Sequence, residues 1–339
     1  MLNFGRLRAV GPLYCFLAAL YLLAFASMAH AGPAQPPLEQ LFSPESRLIL
    51  GELTEINPAG RLVFKRIKVY GKAVDVPERV DIRATDSTIA SVKLGETYVV
   101  GYTLFHHDRK HPGGMAPNRR GGILTTAVGL DPALFRDSET IQTILSLAKT
   151  ERGRESGRLR RLLMDALVGD DAPLQLLAAG QIAYDLELGK HLKTKDRAAI
   201  ARIGSDPETR IPVRLLLIAA AAERPGILGN WWADAIRAVL ASTPLGGYAS
   251  GAKDPTGLVL LAFDEVEAGL VSVPLESVTR WLRSPYRLFI ERACAVLGTV
   301  YPADKQKALE EALGDSSLTQ ENKSYLDDQL NLLKRPDAG

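Results

Sequence analysis

The sequence predicts an α+β protein of two unlike parts, a strand-rich front and a helical back. Three observations predict this. Between Leu48 and Val128, apolar and polar residues alternate in short runs, the period of two that a half-buried strand imposes. From Ser138 onward the apolar residues recur at i, i+3 and i+4, the stripe of a surface helix. The length, 339 residues, suits two domains.

A leader precedes both parts. Arg6 and Arg8 open it, an apolar run from Leu13 to Ala26 follows, and Ala29-His30-Ala31 places small residues where a signal peptidase reads. Residues 1–31 are therefore expected to be a secretory signal, cleaved near Ala31 to leave a periplasmic or secreted protein. The alternative is an uncleaved membrane anchor over residues 9–28, a 20-residue stretch long enough to span a bilayer. Cys15 follows Tyr14 rather than a small residue, which argues against a lipoprotein. Export excludes ATP-driven chemistry, chromosomal DNA and cytosolic cofactors.

Removal of the leader changes the composition. Arg6 and Arg8 leave, so the 41 basic residues fall by two to 39, against 39 acidic ones. A neutral chain has no global field favouring nucleic acid or an anionic membrane. Cys15 leaves as well, so the mature chain carries Cys294 alone and relies on its packed core rather than on disulfides. Cys294 sits in the apolar run Ala293-Cys294-Ala295-Val296-Leu297 and reads as a buried core thiol ahead of a nucleophile.

Residues 32–46 (Gly32-Pro33-Ala34-Gln35-Pro36-Pro37 and onward) form a flexible lead-in. The β-domain spans 47–130. Leu48 to Leu53 is a short strand, Asn57-Pro58-Ala59-Gly60 a turn, and Arg61 to Tyr70 a long strand. The apolar face of the long strand carries Leu62, Phe64, Ile67 and Val69, with a phase shift at Lys65-Arg66 that predicts a β-bulge. Val80 to Ala84, Thr97 to Phe105 and Gly122 to Val128 complete the set. Such spacing predicts a small curled sheet or barrel. The segments Ile67-Lys68-Val69-Tyr70-Gly71-Lys72 and Leu94-Gly95-Glu96-Thr97-Tyr98-Val99-Val100 resemble the oligonucleotide/oligosaccharide-binding (OB) barrel of netrin-like modules, the group that includes tissue inhibitors of metalloproteinases. The resemblance implies a barrel fold. Those inhibitors depend on an N-terminal Cys and a disulfide frame, which this chain lacks, so no inhibitory activity carries over.

The helical domain spans 138–335. Ser138 is placed to cap a helix carrying Ile141, Ile144, Leu145 and Ala148, and Leu159, Leu162, Leu163, Ala166 and Leu167 repeat the pattern. Asp171-Ala172-Pro173, Asp206-Pro207, Asp254-Pro255 and Ser284-Pro285 then each precede an apolar helix, with Pro-to-Pro intervals of 34, 48 and 30 residues. A cap followed by Pro at the first helical position is a helix start. Each apolar helix is followed by a more amphipathic partner, near 196–203, 232–240, 275–282 and 305–313. This pairing is the sequence form of an α-solenoid. It resembles HEAT-like repeats, most clearly from Ser284-Pro285 to Gly298 and at Ala312-Leu313-Gly314-Asp315. An irregular helical bundle is the competing architecture. Tyr325, Leu326, Leu330 and Leu333 suit a final capping helix.

Candidate sites are few. His106-His107-Asp108-Arg109-Lys110-His111 is the most unusual run, and His106, Asp108 and His111 are its candidate metal ligands. It opens into a Gly- and Pro-rich segment ending at Arg119-Arg120, for which a solvated loop is the simpler reading. Lys65, Arg66 and Lys68, with Lys110, Arg119 and Arg120, are candidates for a positive barrel edge that meets an anionic glycan, a lipid headgroup or an acidic partner. The plainer role of such charges is to block strand-to-strand aggregation. Arg152, Arg154, Arg158, Arg160 and Arg161 form a second basic group, expected to pair internally with Asp165, Asp170 and Asp171. Of Trp231 and Trp232, one is expected in the core and one at a contact surface. Asp264 and Glu267 share a helical face and read as solvated. No Gly-x-Ser-x-Gly elbow, His-Glu-x-x-His, P-loop or dinucleotide fingerprint occurs. The expectation is a non-enzymatic exported binding or scaffold protein of the cell envelope, with no cofactor, engaging a protein partner through its helical array or barrel edge. The alternatives are a glycan- or metal-binding accessory protein acting through loop 106–120, or an enzyme with an interdomain site.

Overall fold

A computed structural model describes residues 35–57, 60–71, 76–104, 122–124, 132–150, 154, 156–249 and 251–334. The leader (1–31) lies outside them, as do His106, Asp108, His111, Arg119 and Arg120. Residues 36–339 group as one compact unit, with an N-terminal sheet and a C-terminal set of helices.

A short helix, α1 (Pro37–Leu41), leads into β1 (Ser46–Asn57). Next come β2 (Arg61–Tyr70), β3 (Arg79–Arg83), α2 (Asp86–Ala90), β4 (Thr97–Leu104), β5 (Gly122–Leu124) and β6 (Leu134–Arg136). Hydrogen bonds order the strands β1-β2-β3-β5-β4-β6, and β1 pairs with β4 as well. All pairs are antiparallel except β3 with β5. The Asn57 turn forms as expected, with Gly60 at φ 73° accepting a conformation that a Cβ would strain. The bulge also forms, at Ile67, which is passed over between the pairs Leu50 with Lys68 and Gly51 with Arg66. Ile67 is 56% exposed, so it does not belong to the apolar face to which its spacing assigned it. The extra residue turns its side chain out of the pleat.

Both faces of the sheet are apolar, and alternation divides them. Ile49, Leu53, Leu62, Phe64, Val80, Ile82, Tyr98, Val100 and Tyr102 pack among themselves. Their neighbours Leu48, Val99 and Phe135 join the helical core. Helix α1 is seated on that second face. A Cβ at Gly101 would lie 2.8 Å from Leu41 Cδ2 and 2.9 Å from the Ala133 Cβ, so only glycine leaves room for Leu41, which is fully buried.

The helices are α3 (Glu139–Ala148), α4 (Gly157–Val168), α5 (Ala172–Tyr184), α6 (Leu186–Lys190), α7 (Thr194–Ser205), α8 (Ile211–Glu223), α9 (Pro225–Leu228) and α10 (Trp231–Ser242). They continue with α11 (Thr256–Glu267), α12 (Leu275–Thr279) running into a 3₁₀ turn at Arg280–Arg283, α13 (Arg287–Thr299), α14 (Pro302–Leu313) and α15 (Gln320–Lys334). Ser138 caps α3 through the Ile141 N–H, and Asp171 caps α5 through the Leu174 N–H, with Pro173 in the first turn. The other Pro signals are displaced. Helix α8 begins at Ile211 with Pro212 in its first turn, and Pro207 lies in the turn before it. Asp254 and Ser284 stand one and two residues ahead of the N-caps of α11 and α13, Pro255 and Tyr286, and accept from the N–H groups of Thr256 and Tyr286.

The apolar helices α5, α8, α11 and α13 pack each on the next, while α7, α10 and α12 form a second row. Side chains of one helix pair cap the exposed carbonyls of another. Arg224 donates to the carbonyls of Ile182, at 3.0 Å, and Ala183. Arg280 and Trp281 both donate to the Leu240 carbonyl, at 2.8 and 3.0 Å. Ser284 reaches Leu245, Asn322 reaches Ser284, and Arg237 reaches Ser272. These partners stand 35 to 42 residues apart in sequence. Each bond satisfies a carbonyl that a helix end or loop leaves open. Cys294 is buried, and burial pushes its thiol pKa up to about 11.

Candidate functional site

A polar cleft of about 200 Å³ lies where α1, the start of α4 and the α5–α6 junction meet. Glu39, Arg154, Ser156, Arg160, Asp185, Glu187 and His191 line it. The junction is built from the sequence outward. Asp185 ends α5 and caps α6, one carboxylate oxygen accepting the Leu188 N–H at 2.9 Å and the other accepting from Gln181 Nε2 at 2.9 Å. Gln181 is fully buried, and its Oε1 accepts the Leu38 N–H at 3.0 Å. A single amide side chain thereby ties α1 to α5 and to the cap of α6.

Arg160 sits on the buried side of α4, pairs with Asp196 of α7, and is 7% exposed as a side chain against 6% for its partner. Asp196 also accepts the Lys193 N–H at 2.9 Å. A buried pair of this kind must satisfy its remaining polar groups to offset desolvation, and the added bond does so. At the rim, Lys190 lies 2.6 Å from Glu187 and holds its carboxyl below the usual range. Arg154 stands 4.0 Å from Glu39. Arg224, whose Nε and Nη1 are enclosed without hydrogen-bond partners, has its pKa lowered by burial. Asp185, Arg160 and Glu187 are thus already engaged with the protein's own groups.

The basic group near α4 is arranged differently from the expectation. Arg160 pairs with Asp196, not with Asp165, Asp170 or Asp171, and Asp171 is the cap of α5. Arg158 and Arg161 are exposed and have no ion-pair partner among the described residues. A second, open groove of about 320 Å³ joins the ends of α4 and α7, lined by residues that include Asp170, Gln175, Arg202, Asp206, Glu208 and Arg210.

The strand-edge candidates separate. Lys65 and Lys68 are exposed, the latter 4.9 Å over the Tyr70 ring. Arg66 is half-buried and donates to the Val76 carbonyl, a role in holding the segment before β3. Trp232 is buried. Trp231 is half-buried, its Nε1 bonded to the Leu228 carbonyl at 3.0 Å and its ring filling the space over Gly204. Asp264 and Glu267 both pair with Arg292, Glu267 at 2.8 Å. Among the described residues no three His, Cys, Asp or Glu side chains converge to hold a metal ion, and no helix is long and apolar enough to cross a membrane.

Sequence reasoning missed the cleft because its walls come from three separate stretches. One signal was present. Arg160 lies between Leu159 and Leu163 on an apolar face, and a charge there demands a buried partner. Comparison of the chain with protein-family models, curated proteins and solved structures found no match.

Proposed function

We propose that this is an exported, non-enzymatic binding or scaffold protein of the cell envelope, in which a small OB-type barrel carries a HEAT-like helical array that engages a protein partner. The observation that carries the reading is the set of side-chain to main-chain bonds linking helix pairs 35 to 42 residues apart. A recurring link at that interval is what stacked helical repeats require, and such stacks present extended surfaces for partners. Leu186, Leu270 and Leu288, each more than two-fifths exposed, stand on the helical part as the apolar contacts such a surface uses. Support for the barrel comes from the pairing of β1 with both β2 and β4 together with the parallel β3–β5 pair, since continuous pairing around a sheet removes free edges.

The test is chemical crosslinking of the tagged protein in the envelope followed by purification. One partner recovered at a fixed stoichiometry is the expected result. Recovery of the protein alone, with export and folding verified, overturns the reading. A second reading, an anionic glycan or lipid headgroup held at the strand edge, is favoured by the exposure of Lys65 and Lys68 beside the bulge.

A further inference from the structure

The face formed by α4 and α7 carries a charge pattern that the partner-binding reading does not use. On α4 the exposed residues are Arg158, Arg161, Asp165 and Val168, at i, i+3, i+7 and i+10. On α7 the exposed or half-exposed stripe is Lys195, Ala198, Arg202 and Ser205, at the same spacing. Residues so spaced lie along one side of a helix. The two helices run side by side in the same direction. The Arg160–Asp196 pair joins their starts, and the open groove that holds Val168 with Arg202 joins their ends. Among the described residues, Arg158, Arg161, Lys195 and Arg202 have no ion-pair partner. Asp165 is the one acidic residue within the stripes, and Asp170, Asp206 and Glu208 follow beyond Val168 and Arg202, so the basic end of the face is the helix starts, at Arg158, Arg161 and Lys195.

We infer that this face docks on an anionic lipid bilayer. Two parallel helices present a broad basic ridge rather than a slot, which suits a planar polyanion. Val168, 51% exposed, adds an apolar side chain that inserts among headgroups. Each free Lys or Arg near an anionic surface strengthens binding about 5-fold, and salt screens the effect. The inference does not depend on a protein partner.

The experiment is co-sedimentation of the protein from Gly32 onward with vesicles of phosphatidylcholine alone or mixed with phosphatidylglycerol. Binding to the mixed vesicles, weakened by added sodium chloride, is expected. Replacing Arg158, Arg161, Lys195 and Arg202 together with Gln should weaken it about 600-fold, with unchanged circular dichroism and melting because all four are exposed and have no ion-pair partner among the described residues. Lys253→Gln with Lys323→Gln, remote in sequence from the face, should leave binding as it was. Equal binding to both vesicle types, or an unaltered quadruple variant, overturns the inference. Retention on an immobilised acidic polysaccharide without vesicle binding also overturns it, since the face would then read a glycan.

Discussion

The sheet and the helical stack solve the same problem, pairing main-chain groups that burial takes from water, by opposite means. In the sheet, main chain pairs with main chain over long separations. β1 meets β4 from Ser46 with Thr103 to Glu52 with Thr97, and side chains only fill the two apolar faces. In the stack, each helix satisfies its own interior, and side chains such as Arg224, Arg280, Trp281 and Ser284 satisfy the ends of neighbouring pairs. The sheet should therefore be broken by changes in volume, and the stack by loss of single polar partners.

The largest expected effect is at the Arg160–Asp196 pair. Asp196→Ala leaves a buried guanidinium uncompensated and should cost about 3–5 kcal/mol in urea unfolding. Arg160→Met with Asp196→Leu should recover most of that loss, and failure to recover would mean that the charges do more than fill the joint. Leu41→Ala tests the contact of α1 with the sheet. It removes a fully buried side chain seated over Gly101 and should cost about 2–5 kcal/mol, while Gly101→Ala should cost about 1–3 kcal/mol by overpacking the same contact. Trp281→Phe keeps the ring packing but deletes the bond to the Leu240 carbonyl, which Arg280 still serves. A loss of about 1 kcal/mol is expected, and a much larger one would show that Arg280 cannot act alone.

The smallest effect is pH-dependent. Glu265 has one enclosed carboxylate oxygen without a partner, and burial, followed by the neighbouring Asp264, raises its pKa. A raised acid is bound more tightly by its proton in the folded state. Its stability contribution is present at low pH and is lost as pH rises through the folded pKa. Glu265→Gln should therefore stabilise at neutral pH by up to about 1 kcal/mol, and the gain should vanish at pH values below the usual carboxylate range. A thermal-melt series across pH checks both the sign and the window.

What was legible in the sequence follows from the same contrast. Strand alternation located β1 to β4 because burial on either face repeats every second residue. β6, three residues long, is too short to show a period. Ile67 looked buried because a bulge changes phase without changing composition. In the helical part, Ser138 and Asp171 were readable because a cap acts within three residues, and the partner helices fell where the amphipathic runs lay. The cleft was not readable. Leu38 and Gln181, which meet with Asp185, stand 143 positions apart in the chain, and no local pattern encodes that.

The claim that the stack, rather than the sheet, carries the binding surface is tested most directly by photo-crosslinking residues placed in living cells at Leu186, Leu270 and Leu288 in the helical part and at Ile67 and Leu94 in the strand-rich part, all exposed. The account predicts one adduct of the same mass from the helical positions and none from the sheet positions. Adducts from Ile67 or Leu94 alone, or from no position in a folded, exported protein, would contradict it.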